Sequence, residues 1–72
     1  MNDREPLDVR WLEPPEPFER IVAALEKLPA GETLTVMIHR EPHPLYHWLT
    51  REGWRYSTRY DPAGYFEIRI SR

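Results

Sequence analysis

Cysteine does not occur anywhere in these 72 residues, so the chain can form no disulfide, no thiolate metal site and no thiol nucleophile. Every chemistry that runs through a protein sulfhydryl is excluded. No stretch approaches the ~20 apolar residues that a membrane helix requires. The opening Met1-Asn2-Asp3-Arg4-Glu5-Pro6 also lacks the apolar run that marks a secretory signal. A cytoplasmic protein that does not enter the membrane is the expectation. An excess of basic charge is missing too: ten Lys and Arg stand against twelve Asp and Glu, a net charge of −2 at pH 7. General nucleic-acid binding needs a basic face to displace phosphate counterions, so it is disfavoured. Glycine is scarce, at three residues, and no internal repeat is visible. What remains is a 40% hydrophobic, proline-rich chain long enough for one domain with a small core.

Leu7-Asp8-Val9-Arg10 alternates apolar and charged residues ahead of a proline cluster, the period-two pattern of a half-buried strand. Residues 1–6 before it read as a flexible leader. Glu13-Pro14-Pro15-Glu16-Pro17 cannot pair in a sheet but suits a first helical turn, where the missing N–H has no intrahelical partner anyway. Phe18, Ile21, Val22, Leu25 and Leu28 then keep the spacing of one apolar helical stripe. Pro29-Ala30-Gly31 ends that helix, and Thr33 to His39 alternates Leu34, Val36 and Ile38 against Thr35, Met37 and His39. This predicts a central strand whose second face is only mildly polar. Arg40 to Pro44 is the next break, and Leu45, Trp48 and Leu49 hold helical spacing up to Gly53. From Trp54 the period returns to two, Asp61-Pro62-Ala63-Gly64 has the chemistry of a turn, and Phe66, Ile68 and Ile70 point inward on the last strand. The order β-α-β-α-β-β over residues 1–72 predicts an α+β (α/β) two-layer sandwich. Its four-stranded mixed sheet carries both helices on one face.

Leu7-Asp8-Val9-Arg10, Glu13-Pro14-Pro15-Glu16-Pro17 and Pro29-Ala30-Gly31-Glu32-Thr33-Leu34 resemble the small sulfur-carrier proteins of the TusA/SirA-like superfamily. Those carriers have the same element order and a Cys-Pro-x-Pro motif at the start of the first helix, whose cysteine accepts and passes on a persulfide sulfur. Here Pro15-Glu16-Pro17 matches Pro-x-Pro, and the cysteine position falls on Pro14. Proline has no nucleophilic atom, so the carrier chemistry is not inherited. The run His39-Arg40-Glu41-Pro42-His43-Pro44-Leu45-Tyr46 is similar to the signature of a cysteine-free branch, the bacterial-type proteins catalogued as domain of unknown function 2249. That resemblance implies the fold and assigns no activity.

In a parallel β-α-β unit the first two strands end on the same side of the sheet, which is where open α/β sheets bind ligands. Arg10, Trp11 and Glu13 are therefore expected beside His39, Arg40, Glu41 and His43. Two arginines, carboxylates, an indole and imidazoles there suit an anionic or planar ligand, or a peptide segment of a protein partner. The plainer reading pairs Arg10 and Arg40 with Asp8, Glu13 or Glu41. At the first helix N-terminus, Pro15 and Pro17 offer no donors and Glu16 and Glu19 already supply negative charge, which reads as capping. His39, His43 and His47 are spaced by four and give an alternative reading as ligands of a transition metal such as zinc, copper, nickel or iron. Pro42 and Pro44 argue against a shared helix, and capping or solvated histidines compete with it. Tyr46, Trp48, Trp54, Tyr56, Tyr60 and Tyr65 read mostly as core or core edge. Tyr60 and Tyr65 with Arg55, Arg59 and Arg69 form a lesser candidate for stacking single-stranded nucleic acid, against a cross-strand structural pairing. No paired-carboxylate site or phosphate loop stands out. The expectation is a non-enzymatic accessory or regulatory binding module without a resident cofactor, monomeric or weakly dimeric.

Overall fold

A computed structural model describes residues 5–72. Six elements follow in chain order: β1 (Leu7–Asp8), α1 (Glu16–Glu26), β2 (Leu34–Ile38), α2 (His43–Arg51), β3 (Arg55–Asp61) and β4 (Tyr65–Ser71). The leader expected over residues 1–6 lies mostly outside the described residues. The sheet order is β1-β2-β4-β3, with β1 parallel to β2 and the other pairs antiparallel. The α+β sandwich expected from the residue pattern is therefore present, and β2 is interior.

Alternation decides what each strand buries. Leu34, Val36 and Ile38 of β2 share one sheet face with Ile68 and Ile70 of β4, and Val9 extends that face past β1. Ile21 and Leu25 of α1 and Leu45 and Leu49 of α2 close over it, completing a ten-residue apolar core. Both helices thus cover the same face. The opposite face is solvent-facing and self-sealed: Asp8 grips Arg10 at 2.8 Å, Arg59 reaches Glu67 at 3.2 Å, and the Arg10 guanidinium lies 4.9 Å from the Tyr65 ring centre.

The element ends follow from local chemistry. β1 is shorter than the alternation predicts, because after Val9 donates to the Met37 carbonyl at 2.9 Å the chain turns at Arg10 and Trp11. At the end of α2, Trp54 donates to the Leu49 carbonyl and Gly53 to the Thr50 carbonyl. That paired closure needs the left-handed backbone of Gly53, at φ +86°. In the β3–β4 turn Asp61 accepts the Ala63 N–H at 2.9 Å through its carboxylate.

The topology corrects one expectation. β4 lies between β2 and β3, so β3 is an edge strand, which α2 covers only in part through Tyr46. Tyr56 and Tyr60, expected as core or core edge, are 38% and 59% exposed. Tyr60 meets Phe66 edge-on at 5.0 Å across the strands, while Tyr65 lies opposite Asp61 on the other sheet face with Arg55, Arg59 and Arg69, so Tyr60 and Tyr65 do not pair. No joint stacking surface forms between Tyr60 and those arginines.

Candidate functional site

β1 and β2 end at the same edge of the sheet, and the loops leaving them lead into the N-terminal ends of α1 and α2. Between these four segments lies an open cavity of 550 Å³, within the usual size range of small-ligand pockets. Its floor is apolar, formed by Phe18, Ile21, Ile38 and Leu45, with Leu12 and the prolines of both loops as walls. Trp11, Glu13, His39, Arg40 and Glu41 make the polar rim. Sequence reasoning anticipated the rim but took Phe18, Ile21, Ile38 and Leu45 only as core. The missed signal is positional, because Phe18 and Leu45 stand in the first turns of their helices, where a stripe overhangs the sheet edge.

Trp11 is the unusual residue of this site. Its backbone has φ +71°, and its side chain is 75% exposed. A bulky residue in the left-handed region is a genuine outlier, costing about 1–3 kcal/mol unless its surroundings hold it. Here His39 does the holding: the Trp11 backbone N–H donates to His39 Nδ1 at 3.0 Å, and the two rings stack with centroids 5.0 Å apart at 26°. Because Nδ1 accepts, the neutral imidazole carries its proton on Nε2, which leaves a donor free.

The other expected residues divide. Arg40 is exposed at the rim, and among the described residues no carboxylate pairs with it. Glu13 also lines the rim, with its backbone carbonyl accepting the Glu16 N–H at 2.9 Å. Arg10 does not join them. Strand alternation sends it to the open sheet face with Asp8, whose carboxylate receives three of its N–H groups, backbone and guanidinium, at 2.8–3.0 Å. Those bonds hold the Asp8 carboxyl below its ordinary range and push the Arg10 guanidinium up. The alternation of Leu7 and Val9 against Asp8 and Arg10 already carried that signal.

His43 also leaves the cavity. It sits at the start of α2 with Nε2 3.6 Å from Glu41 and its ring edge-on to Tyr46. It opens instead on a shallow depression shared with His47, Thr50 and Tyr56. With His39 engaged by Trp11, the three imidazoles do not converge. Among the described residues no group of three His, Asp or Glu side chains is placed to hold a metal ion.

Tyr46, which the sequence places in the aromatic concentration and at the end of the His39–Tyr46 run, ties the site to the sheet. Its hydroxyl has one proton to give, and the Glu41 carboxylate can only accept it, at 3.0 Å. Thr58 must then donate to the Tyr46 oxygen across their 2.7 Å contact. Tyr56 stacks on the Tyr46 ring at 4.6 Å and 4°. Burial, above all, pushes the Tyr46 phenol above its ordinary value, with Glu41 adding to it and the Thr58 bond opposing. Glu41 is thereby fixed in position at the rim.

At the head of α1 the Glu16 carboxylate turns along the helix to Arg20 at 2.8 Å. Pro14 and Pro15, joined by a cis peptide, both border the cavity. The family model described as an uncharacterized conserved protein, DUF2249, matches residues 1–72. The chain belongs to the DUF2249 family. A search of curated proteins finds no match for this DUF2249 chain. Among solved structures it is similar to the SirA-like protein of Desulfitobacterium hafniense, with a TM-score of 0.79 at 24% identity over 89% of this chain and 90% of that one. That likeness shows that this DUF2249 protein has a SirA-like fold. It carries that fold without cysteine.

Proposed function

We propose that this DUF2249 protein is a non-enzymatic accessory or regulatory module that captures an apolar group bearing an acidic function in the cavity between Trp11 and Arg40. The group is either a small molecule or a short segment of a protein partner. The apolar floor takes the hydrocarbon portion, and Arg40 at the rim meets the acid. Four of the seven other arginines of the described chain face carboxylates: Arg10 with Asp8, Arg20 with Glu16, Arg51 with Glu52, and Arg59 with Glu67 and Asp61. The observation that carries this reading is Trp11, an exposed indole held in a costly backbone conformation over His39 at the cavity mouth. Strain retained at an exposed aromatic beside an apolar cavity is the signature of a preorganised contact.

Catalysis finds no support in the residues at the cavity. No thiol is present, and Pro14 stands at the carrier position. The one carboxylate pair at the rim, Glu13 and Glu41, includes a member committed to Tyr46.

The test is an NMR titration of the isotopically labelled, untagged protein with N-acetyl-leucine, N-acetyl-phenylalanine and octanoate, beside their amides. Saturable shifts at the Trp11 indole, His39 ring and Arg40 side chain are expected for the acids. Binding should be about tenfold weaker for the amides, which lose a charge-assisted hydrogen bond. Acids that leave these signals unmoved, or that bind Trp11→Ala and Arg40→Ala as they bind the parent chain, would overturn the reading.

A further inference from the structure

Of the sheet's two edges β1 is two residues long and β3 seven, and β3 has no proline and no bulge in its pairing to β4, its charged residues Arg55, Arg59 and Asp61 being of both signs. Edges of that length are normally blunted by one of those devices. Here the residues instead read as complementary to their own reverse. Two β3 strands run antiparallel around a two-fold axis through Thr58 place Ser57 opposite the partner's Arg59 and Tyr56 opposite the partner's Tyr60. They also place Arg55 opposite the partner's Asp61.

Each of those pairings has an observation behind it. Tyr56 and Tyr60 are two of the three exposed large apolar side chains of the described residues, the other being Trp11 at the cavity. Both lie on the helix side of the sheet, so the pairing joins them across the edge. Tyr60 of the partner would extend the stack that Tyr46 and Tyr56 already make at 4.6 Å. Arg55 is exposed, and no described carboxylate pairs with it, while Asp61 stands on the same sheet face. Arg59 is quieted in its own subunit by Glu67 at 3.2 Å and Asp61 at 3.4 Å.

Charge also selects the register. A closed two-fold pair can slide only by steps that keep each side chain on its own face. One step one way sets Arg55 against the partner's Arg59, and one step the other way sets the two Arg59 residues against each other. Like charges directly opposite each other destabilise a strand pair. Of these three registers, which keep the most residues paired, only the centred one has none.

We infer that β3 is a self-association edge, through which two copies of this chain join their sheets into one continuous eight-stranded sheet. No residue of β3 lines the cavity between Trp11 and Arg40, which stays open in both copies. One added strand pair makes a small interface, so the dimer is weak, with a dissociation constant of about 10 μM to 1 mM expected for contacts below the standard size.

Sedimentation equilibrium and NMR on the parent chain up to about 1 mM test this, with a mixed labelled and unlabelled sample reporting contacts between Tyr56 and the partner's Tyr60. Arg55→Asp puts two carboxylates opposite each other at both ends of the interface and should weaken the dimer about tenfold. Ser57→Asp, at another exposed position, faces the partner's Arg59 twice and should tighten it several-fold. Trp11→Ala should dimerise like the parent. A chain that stays monomeric at 1 mM, or a dimer whose affinity ignores both Arg55→Asp and Ser57→Asp, would overturn the inference.

Discussion

The backbone N–H of Trp11 and Nδ1 of His39 meet at 3.0 Å, joining residues 28 positions apart and fastening the loop after β1 to the end of β2. One bond sets the tautomer of the neutral imidazole and joins two residues of the cavity rim. Substitutions on either side of it should therefore act on the loop before they act on the core.

Trp11→Ala and Trp11→Gly both delete the indole, but only glycine adopts φ +71° without steric cost. The glycine variant should be the more stable of the two by about 1 kcal/mol in urea unfolding, the usual penalty for a left-handed L-residue. Equal stabilities would mean that the loop relaxes once the indole is gone.

His39→Asn keeps an acceptor near the position of Nδ1, whereas His39→Gln places its carbonyl nearer to that of Nε2. The Trp11 amide should keep its slowed hydrogen exchange in the asparagine variant and lose it in the glutamine and alanine variants. The loss should cost about 0.5–1.5 kcal/mol of stability, the net worth of one hydrogen bond. Slow exchange of Trp11 in all three variants would exclude His39 as its holder.

The raised Tyr46 phenol gives a prediction at alkaline pH. The fold favours the protonated phenol, so its contribution is complete below the ordinary tyrosine value of 10.0 and is lost as pH rises through the higher folded value. Tyr46→Phe should flatten that alkaline decline and lower neutral-pH stability by about 1 kcal/mol, because Glu41 and Thr58 lose their link. Thermal unfolding followed across pH 8 to 11, with ultraviolet titration of the phenol, measures both, since tyrosine ionises near pH 10.

Asp8 predicts the opposite limb. Its carboxyl is held low, chiefly by the Arg10 side chain, so that contribution is complete above the ordinary value of 3.8 and disappears as pH falls through the lower folded value. Asp8→Asn should remove part of the acid dependence below pH 4 in a salt-sensitive way, the pair being solvent-exposed. An unchanged acid limb in this variant would show that the ion pair adds nothing to folding.

The residue pattern was most informative where burial on one face is decided locally. Ile21 and Leu25 on α1, the alternation of Leu34, Val36 and Ile38, and Gly53 at the end of α2 all stand where spacing and turn chemistry placed them. It was least informative about neighbours in space. Nothing in the run from Trp54 to Ser71 says that β4 lies between β2 and β3, so the exposure of Tyr60 at an edge could not be read. Trp11, Glu13, His39, Arg40 and Glu41 were legible as one cluster because parallel strands end together. Arg10 and His43 were misplaced because adjacency in sequence stood in for the direction of a side chain. The linking role of Tyr46 was not legible because it rests on Glu41 and Thr58, which meet only in the folded chain.

Ile21, Ile38 and Leu45 are both the floor of the cavity and members of the ten-residue core. A relative of this chain cannot recarve that floor for a different ligand without loosening the fold, since truncating such a side chain costs about 2–5 kcal/mol out of a small reserve. Trp11, Glu13 and Arg40 belong to no such core, being exposed. Substitutions at the rim are thereby free of the folding cost that substitutions in the floor carry.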